Sequence, residues 1–422
     1  MLAAAITMAP LSTSLLAQTD SSWRYYNRAA RVAHDRKDYS AYRANVVKLN
    51  ELLSGHARTL YSLASAEALL GNDDEAIRLL RRFAATGLVA DVAADSDFVR
   101  LRTTPAFGDV VRQLEKNKTP IASATRAHVL PDTLLLPEDI VYDGASRSFF
   151  VSSMRRRTIV RVDASGRVSD FIESGKNGIW SILGLALDSR RHLLWATTVA
   201  NPMMAPVDSA DAGKAAVLAF DLRTGHLMKR YAAPGKEEHE TGELAVDARG
   251  NVYVSDGHRG ILYRLAPGDT VLEPLVDDSE LVSPQGIAVR DDGQLFVADY
   301  VRGIAIIDPA SRRVRWLAHP GEAPINGIDG LYLDHGALIA IQNGTNPSRV
   351  VRLALDAALA RVTTATTLEA NTPLSNETNH GAVVGREFFF ISGSDWDRIA
   401  PDGTVKPGAK LEPPIIARIA LP

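Results

Sequence analysis

The chain is predicted to be mainly β with an α-helical N-terminal domain: a six-bladed β-propeller preceded by helical hairpins. A motif of a short apolar strand, a polar turn and a second apolar strand recurs six times between Glu138 and Trp396. The copies start at Asp139, Gly184, Glu243, Gly286, Gly330 and Gly381, at intervals of 45, 59, 43, 44 and 51 residues. A period of about 40–50 residues with several strands in each unit is typical of propeller blades.

The segment before the repeats has a helical pattern instead. Apolar residues recur every three or four positions in 23–33, 42–53, 60–70 and 75–83, which predicts amphipathic helices. The stretch AEALLGNDDEAIRLLRRFAATG resembles a tetratricopeptide-type helical hairpin. Such hairpins offer a concave surface to peptides, so one interpretation is a protein partner at this region. The other interpretation is a module for packing or dimerisation.

Four segments are expected along the chain. Residues 1–17 are apolar and uncharged and end in a small residue, which indicates a secretory signal peptide and a periplasmic or secreted protein. The basic start of such a signal is missing, and the alternative is an apolar N-terminal helix. A tetratricopeptide-like domain over 18–118, a polar linker over 119–128 and the propeller over 129–422 follow. We expect 415–421 or 129–136 to complete a blade and close the ring, because closure removes exposed sheet edges.

The composition excludes several classes of function. The chain has 47 basic and 50 acidic residues and a net charge of -3, which argues against nucleic acid as a main partner. After the N-terminus no apolar run reaches the roughly 18 residues that a membrane span needs. The absence of cysteine excludes disulfides, thiolate zinc sites and cysteine nucleophiles. Motifs for serine hydrolases and for nucleotide cofactors are also missing.

The repeat also predicts which side chains meet at one end of the ring. Strands alternate in direction, so the start of each first strand and the end of each second strand lie at the same end, which we call the mouth. Residues at the strand starts are Glu138, Leu183, Gly242, Glu243, Gln285, Asp329, Asn379 and His380. Residues at the strand ends include Arg155, Thr198, Asp256, His258, Asp299, Asn343 and Asp395. Carboxylate and amide oxygens in such number suit a hard cation such as calcium.

Three stretches carry a resemblance to a known group. LPEDIVYDG, SPQGIAVRDDGQLFVADY and NGIDGLYLD resemble the senescence marker protein/gluconolactonase/luciferin-regenerating enzyme superfamily, over residues 129–420. The resemblance implies a divalent cation at the mouth, with Glu138 and Asp329 matching the first and last ligands of the family. Gln285 stands where the family has Asn, and Glu243 lies where Asn-Asp is common. NHL-type propellers, which are non-enzymatic binders, share the features around 284–299.

The resemblance implies a metal-dependent, calcium-type lactonase or esterase-like hydrolase of a small molecule. Glu138, Glu243, Gln285 and Asp329 are then the metal ligands, and Asp329 is also the catalytic base. The residues expected to contact the substrate are Arg155, His258, Asp299, Asn343, Asn379 and His380. The alternative function is a non-catalytic scaffold, in which the mouth binds a ligand and the helical domain binds a protein. The alternative to a metal site is that Glu138 and Asp329 cap strands through backbone N–H groups, with no ion present.

Two charged runs near the mouth leave alternatives open. The run 236–243, KEEHETGE, lacks the second histidine of a zincin, and we interpret it as a solvated acidic loop. The run 154–157, MRRR, either faces an anionic substrate or is a solvated loop.

Overall fold

The computed structural model describes residues 23–53, 55–206, 209–277 and 280–422. The predicted signal peptide, residues 1–17, lies outside the described residues. A group of helices precedes a ring of six β-sheets, so the predicted fold class is confirmed. None of the helices in the described ranges is long and apolar enough to cross a membrane.

The helical region contains two antiparallel hairpins and a closing helix. Its helices are α1 (Trp23–Asp35), α2 (Tyr39–Leu52), α3 (Ala57–Leu69), α4 (Asp73–Ala85) and α5 (Pro105–Lys116). Gly71 ends the first helix of the second hairpin with φ 84°, a left-handed conformation that glycine adopts without strain. Helices α3, α4 and α5 bury one apolar cluster that includes Leu80, Phe83 and Phe107.

Each blade is an antiparallel sheet of four strands, and blade 5 has a short fifth strand. The first two strands of the chain, β1 (Ile121–Ala122) and β2 (Thr125–Val129), belong to the last two blades. Blade 1 has β3 (Pro137–Asp143), β4 (Ser148–Ser153), β5 (Thr158–Val162) and β6 (Val168–Ile172). Blade 2 has β7 (Ser181–Asp188), β8 (Leu193–Val199), β9 (Ala215–Asp221) and β10 (Leu227–Ala232). Blade 3 has β11 (Thr241–Val246), β12 (Val252–Asp256), β13 (Ile261–Leu265) and β14 (Glu273–Val276). Blade 4 has β15 (Pro284–Val289), β16 (Leu295–Asp299), β17 (Gly303–Asp308) and β18 (Arg313–Trp316). Blade 5 has β19 (Leu331–Asp334), β20 (Ala337–Gln342), β21 (Arg349–Leu355), β22 (Val362–Ala370) and β1. Blade 6 has β23 (Gly381–Val384), β24 (Glu387–Ser392), β25 (Ile415–Ala420) and β2.

The blades are held together by apolar clusters between neighbours. The first strands contact one another in the order β3, β7, β11, β15, β19, β23 and back to β3, which closes the ring. Each pair of adjacent blades shares one buried cluster, for example Phe296 of blade 4 with Leu338 of blade 5. Burial of apolar area stabilises such contacts by about 25 cal/mol per Å², so the ring closes through side-chain packing as well as strand pairing.

The two ends of the propeller sequence meet in blade 6. Strand β25 forms, as expected, and pairs with β24 on one side and with β2 on the other. The closing strand is therefore Thr125–Val129, which overlaps the predicted linker 119–128, and β1 also lies in that segment. The linker prediction differs from the structure because an outermost strand has one neighbour and can stay polar. The buried carboxylate of Glu369 fixes the segment between β1 and β2 by accepting the backbone N–H groups of Ser123 and Ala124.

A β-bulge at the mouth end of the first strands shapes the site. In blade 1, Pro137 pairs with Ser153 and Ile140 pairs with Val151. The two residues Glu138 and Asp139 therefore lie opposite the single residue Ser152. The same shift occurs in blades 2, 3 and 4, and blades 5 and 6 have an equivalent hydrogen-bond pattern. A bulge re-aims a side chain that strand alternation would send elsewhere. We call the first bulge residue of each blade the outer position and the second the inner position.

The bulge also predicts which glycines tolerate a side chain. A Cβ on Gly286, at the inner position of blade 4, would lie 2.5 Å from the carbonyl oxygen of Asp329 and 2.6 Å from the nitrogen of Leu331. Because both atoms belong to the backbone, Gly286→Ala should destabilise the fold by about 1–3 kcal/mol. Gly242→Ala is the matched control, since its Cβ would meet only Gln285 Oε1 at 3.5 Å. Urea unfolding of both variants checks this, and equal midpoints would contradict the proposed clash.

Candidate functional site

The mouth brings together side chains from four blades. The outer positions hold Glu138, Leu183, Gly242, Gln285, Asp329 and Asn379. The inner positions hold Asp139, Gly184, Glu243, Gly286, Gly330 and His380. Glycines at three inner positions leave room for the three ionisable side chains, and a Cβ on Gly184 would lie 3.1 Å from Glu243 Oε1.

Glu138, Asp329 and His380 form a cluster that we call the outer group, because it lies beside the open end of the ring; the name does not refer to the bulge positions. One ligand atom of each lies within 4.8 Å of the others. His380 Nε2 is 3.4 Å from Asp329 Oδ1. His380 is buried, whereas the two carboxylates are partly exposed toward the mouth. The two residues that the sequence predicted as first and last metal ligands therefore lie close together.

Amide side chains orient both carboxylates of the outer group. Asn379 Nδ2 donates to Glu138 Oε2 at 2.8 Å, and Asn343 Nδ2 donates to Asp329 Oδ2 at 2.7 Å. The Tyr300 hydroxyl in turn donates to Asn343 Oδ1 at 3.2 Å. One oxygen of each carboxylate thus has an amide donor, and Asp329 Oδ1 faces the imidazole.

The inner group is formed by Asp139 and Glu243 on the other side of His380. His380 Nδ1 lies 3.4 Å from Glu243 Oε1, and Asp139, Glu243 and His380 offer ligand atoms within 4.8 Å of one another. Asp139 accepts the backbone N–H groups of Ile140 at 2.7 Å and Leu185 at 2.6 Å. The imidazole therefore bridges two pairs of carboxylates.

Burial and charge perturb every group of the cluster. Burial raises the pKa of Glu138 to about 8 and that of Asp139 to about 6, and raises the pKa of Glu243 well above its ordinary value. Burial also acts to raise the pKa of Asp329, but the His380 charge and hydrogen bonds hold that pKa below its ordinary value. Burial acts to lower the pKa of His380, but Glu243 and Asp329 hold it well above its ordinary value. Four carboxylates around one imidazole favour extra protons or a cation.

An open pocket of about 620 Å³ lies over the outer group. Its walls carry Glu138, Asp329, Asn343 and Asn379 together with further amides and hydroxyls and the ring of Trp396. Hydrogen-bonding groups dominate this lining. The pocket therefore suits a small polar molecule placed directly above the carboxylates.

Asp299 has a role other than the predicted substrate contact. Its side chain is fully buried, and its oxygens accept four backbone N–H groups from both flanking loops. The sequence does not distinguish an aspartate at a strand end that faces the mouth from one that accepts backbone N–H groups of a neighbouring loop. Which of the two forms depends on whether the loop conformation directs its N–H groups at the carboxylate.

The remaining predicted residues lie at the mouth but outside the outer group. The Arg155 guanidinium donates to the backbone carbonyls of Gly403 and Met203. The Gln285 amide donates to Ser283 Oγ at 3.2 Å and faces Gly242 and Gly257. His258 is exposed on the loop after β12. Their ligand and substrate roles stay predictions.

Two residues of the cluster were missed by the sequence analysis. Asp139 was missed because strand alternation sends it to the opposite side from Glu138, and only the bulge returns it to the cluster. The repeats did contain a signal for Asp139. The inner position is glycine in blades 2, 4 and 5, but it is Asp139 in blade 1 and Glu243 in blade 3. Tyr332 was missed because it lies within an apolar strand. Its hydroxyl accepts the N–H of Gly381 and lies 3.5 Å from His380 Nδ1.

The fold has counterparts among solved structures. Aldose sugar dehydrogenase from Streptomyces coelicolor, in its PQQ-bound form, is 16% identical with a TM-score of 0.47, over 71% of this chain and 99% of that one. A gluconolactonase from Xanthomonas campestris is 15% identical with a TM-score of 0.47, over 72% and 100%. Luciferin-regenerating enzyme is 13% identical with a TM-score of 0.47, over 72% and 95%. No protein-family model and no curated protein sequence matches the chain. At these identities the likeness concerns the fold alone, and the chemistry has to come from the residues of the mouth.

Proposed function

We propose that the mouth binds one divalent cation and hydrolyses a small lactone or ester. The observation that carries this proposal is the outer group, in which Glu138, Asp329 and His380 offer ligand atoms within 4.8 Å of one another below an open pocket. Carboxylates on a propeller rim that only capped strands would accept backbone N–H groups, as Asp299 does. Glu138 and Asp329 instead accept side-chain amides and face each other.

The donor set fits a divalent cation in distance and in charge. Ligand bonds of about 2.0–2.6 Å let the donor atoms of one ion lie up to about 5 Å apart, and the outer group satisfies that limit. A dication would also offset the negative charge of the surrounding carboxylates. Oxygen donors favour calcium, as the sequence predicts, while the His380 nitrogen extends the set toward manganese and zinc.

The residues of the mouth have separate roles in the proposed reaction. The bound cation would polarise the substrate carbonyl and stabilise the developing oxyanion. Asp329, oriented by Asn343 and kept ionised by the positive charge beside it, accepts a proton from the attacking water. The water oxygen bonds to the acyl carbon, the acyl–oxygen bond breaks, and the proton passes to the departing oxygen. Asn343 and Asn379 hold the two carboxylates and face the substrate.

Glu138→Gln should strongly lower the rate of cation-dependent hydrolysis while leaving the fold intact. The substitution keeps the size of the side chain and removes its charge, so we expect kcat/KM to fall by about 100-fold or more. Initial rates on a panel of small lactones and aryl esters are measured after chelator dialysis and after addition of calcium, manganese or zinc.

Glu377→Gln is the matched control for this experiment. Glu377 lines the same pocket but lies outside the cluster, and its carboxylate accepts the N–H of Asp397. It should retain the wild-type rate. Wild-type hydrolysis that survives chelation, or equal losses in the two variants, would contradict the proposed role of the outer group.

A further inference from the structure

The helical region docks on the mouth side of blade 5. The N–H of Val89 donates to the carbonyl of Asn346 at 2.8 Å, and Asn346 Nδ2 donates to the carbonyl of Val89 at 3.4 Å. At a second point, Asn371 Nδ2 donates to the carbonyl of Asn117 at 2.9 Å. The helical region and blade 5 are therefore joined by one backbone–backbone hydrogen bond and by two hydrogen bonds from side chains to the backbone. One of the residues involved, Asn346, also lines the pocket.

Arg349 is the most buried polar group of this contact. It is 5% exposed, its Nε donates to Gln342 Oε1 at 2.8 Å, and its Nη1 donates to the carbonyl of Thr86 at 3.0 Å. No carboxylate among the described residues offsets its charge, and burial lowers the pKa of Arg349 to about 10. A buried cation without a carboxylate is costly unless its donors are satisfied. The carbonyl of Thr86 in the helical region is therefore a partner that Arg349 needs.

The segment between Gln342 and Arg349 connects this contact to the outer group. We call residues 343–348 the mouth loop. Its first residue, Asn343, donates to Asp329 and to the carbonyl of Thr378. Its second residue, Gly344, packs against Tyr300 so closely that a Cβ would lie 2.5 Å from the ring. The loop is thus fixed at one end by the helical region and at the other by groups that hold Asp329.

We infer that the helical region is a structural part of the mouth and that Arg349 is a positioning residue. By binding Thr86 and Gln342 it fixes the mouth loop, and through Asn343 it fixes the orientation of Asp329. The inference rests on the proposed function only for the catalytic role of Asp329, since the contacts themselves are independent of the reaction. It also gives the helical region a role that needs no separate protein partner.

Arg349→Met in the full chain tests this inference. The variant keeps an unbranched apolar stem and removes both hydrogen bonds, so hydrogen exchange at the mouth loop should rise about tenfold or more. Manganese affinity should weaken about tenfold, the loss typical of residues that orient metal ligands. Arg349→Lys, which keeps the charge but lacks the planar fork, should fall between wild type and Arg349→Met. In hydrolysis we expect kcat to fall more than KM rises.

The controls separate a local effect from general loss of stability. Arg352→Met removes an arginine of the same strand whose guanidinium lies 3.8 Å from Asp334 of blade 5, and it should leave exchange at the mouth loop unchanged. Val89→Pro removes the N–H donor from the helical side and should loosen the loop without altering blade 5. Wild-type protection of the loop in both Arg349→Met and Val89→Pro would overturn the inference. A loosened loop in a chain whose wild type binds no cation would support the inference and contradict the proposed function instead.

Discussion

Asp329→Asn is expected to lower kcat/KM by about 1,000-fold, within the range that a general base contributes. The substitution keeps the shape of the side chain and its contact with Asn343, but it removes the charge that accepts the proton. It also removes one ligand of the proposed cation, so the effect should exceed that of substituting any other single residue of the pocket wall. Hydrolysis is measured at saturating calcium or manganese, so that weaker binding of the cation does not hide a loss in the chemical step.

Asp397→Asn is the matched control for Asp329→Asn. Asp397 is exposed and lines the same pocket, but it lies outside the cluster around His380. The Asp397→Asn variant should hydrolyse the substrate at the wild-type rate. An Asp329→Asn variant that keeps more than about a tenth of the wild-type kcat/KM would rule out a general-base role for Asp329.

The second large effect is a fall in the stability of the metal-free chain as pH rises. Glu138, Asp139 and Glu243 have raised pKa values, to about 8 for Glu138 and about 6 for Asp139. A raised carboxyl pKa means that the folded state keeps a proton that the unfolded chain releases. That contribution to stability is complete below the unfolded pKa and is lost as pH rises through the folded one.

Three other groups determine whether stability rises or falls with pH and which pH range is useful: His380 and Asp329 in the cluster, and His56 outside it. His380 also has a raised pKa, so its contribution is likewise lost at high pH. Asp329 has a lowered pKa, and its contribution is lost only as pH falls through that lowered value. Burial lowers the pKa of His56 to about 4, so its contribution grows up to about pH 6.5 and is constant above. Burial also raises the pKa of Glu240, Glu377 and Asp395 outside the cluster, so the part of the slope between about pH 6.5 and pH 8.5 that Glu138→Gln removes reports the cluster.

Urea unfolding after chelator dialysis measures this slope. The free energy of unfolding should fall by about 2 kcal/mol across that window from Glu138 alone, at about 1.4 kcal/mol for each pH unit up to its pKa of about 8, and it should fall further through Glu243 and His380. Glu138→Gln removes one titrating group and should flatten the slope. A saturating cation should do the same, because it takes the place of the retained protons. Stability that is constant or rises with pH in the metal-free wild type would contradict the protonation of the cluster.

The repeat made the number of blades and the ends of their strands predictable. Once Glu138, Asp329 and Asn379 were assigned to strand starts, ring closure placed them at the same end of the ring. The bulge was not predictable from alternation, since it adds one residue without changing the apolar pattern. For this reason Asp139 was not predicted to belong to the cluster, although it directly follows Glu138.

The roles of individual polar side chains were less predictable than their location. Asp299 is the last residue of a second strand and Asn343 is the first residue after one. Asp299 accepts four backbone N–H groups, whereas Asn343 donates to Asp329. The outcome depends on whether the following loop folds back over the side chain. The closing strand β2 was placed in a linker for a related reason, because an edge strand is stabilised by hydrogen bonds more than by apolar burial.

Calorimetric titration of the chelator-dialysed full chain with calcium, manganese and zinc tests the central claim most directly. The account predicts one ion per chain for at least one of the three metals, with affinity weakened by about tenfold or more in Glu138→Gln and Asp329→Asn and unchanged in Glu377→Gln. At about 100 times the dissociation constant, that metal should also stabilise the fold by about 2.7 kcal/mol. No binding of any of the three metals to the wild type, or equal binding to Glu138→Gln, would contradict a cation site formed by Glu138, Asp329 and His380.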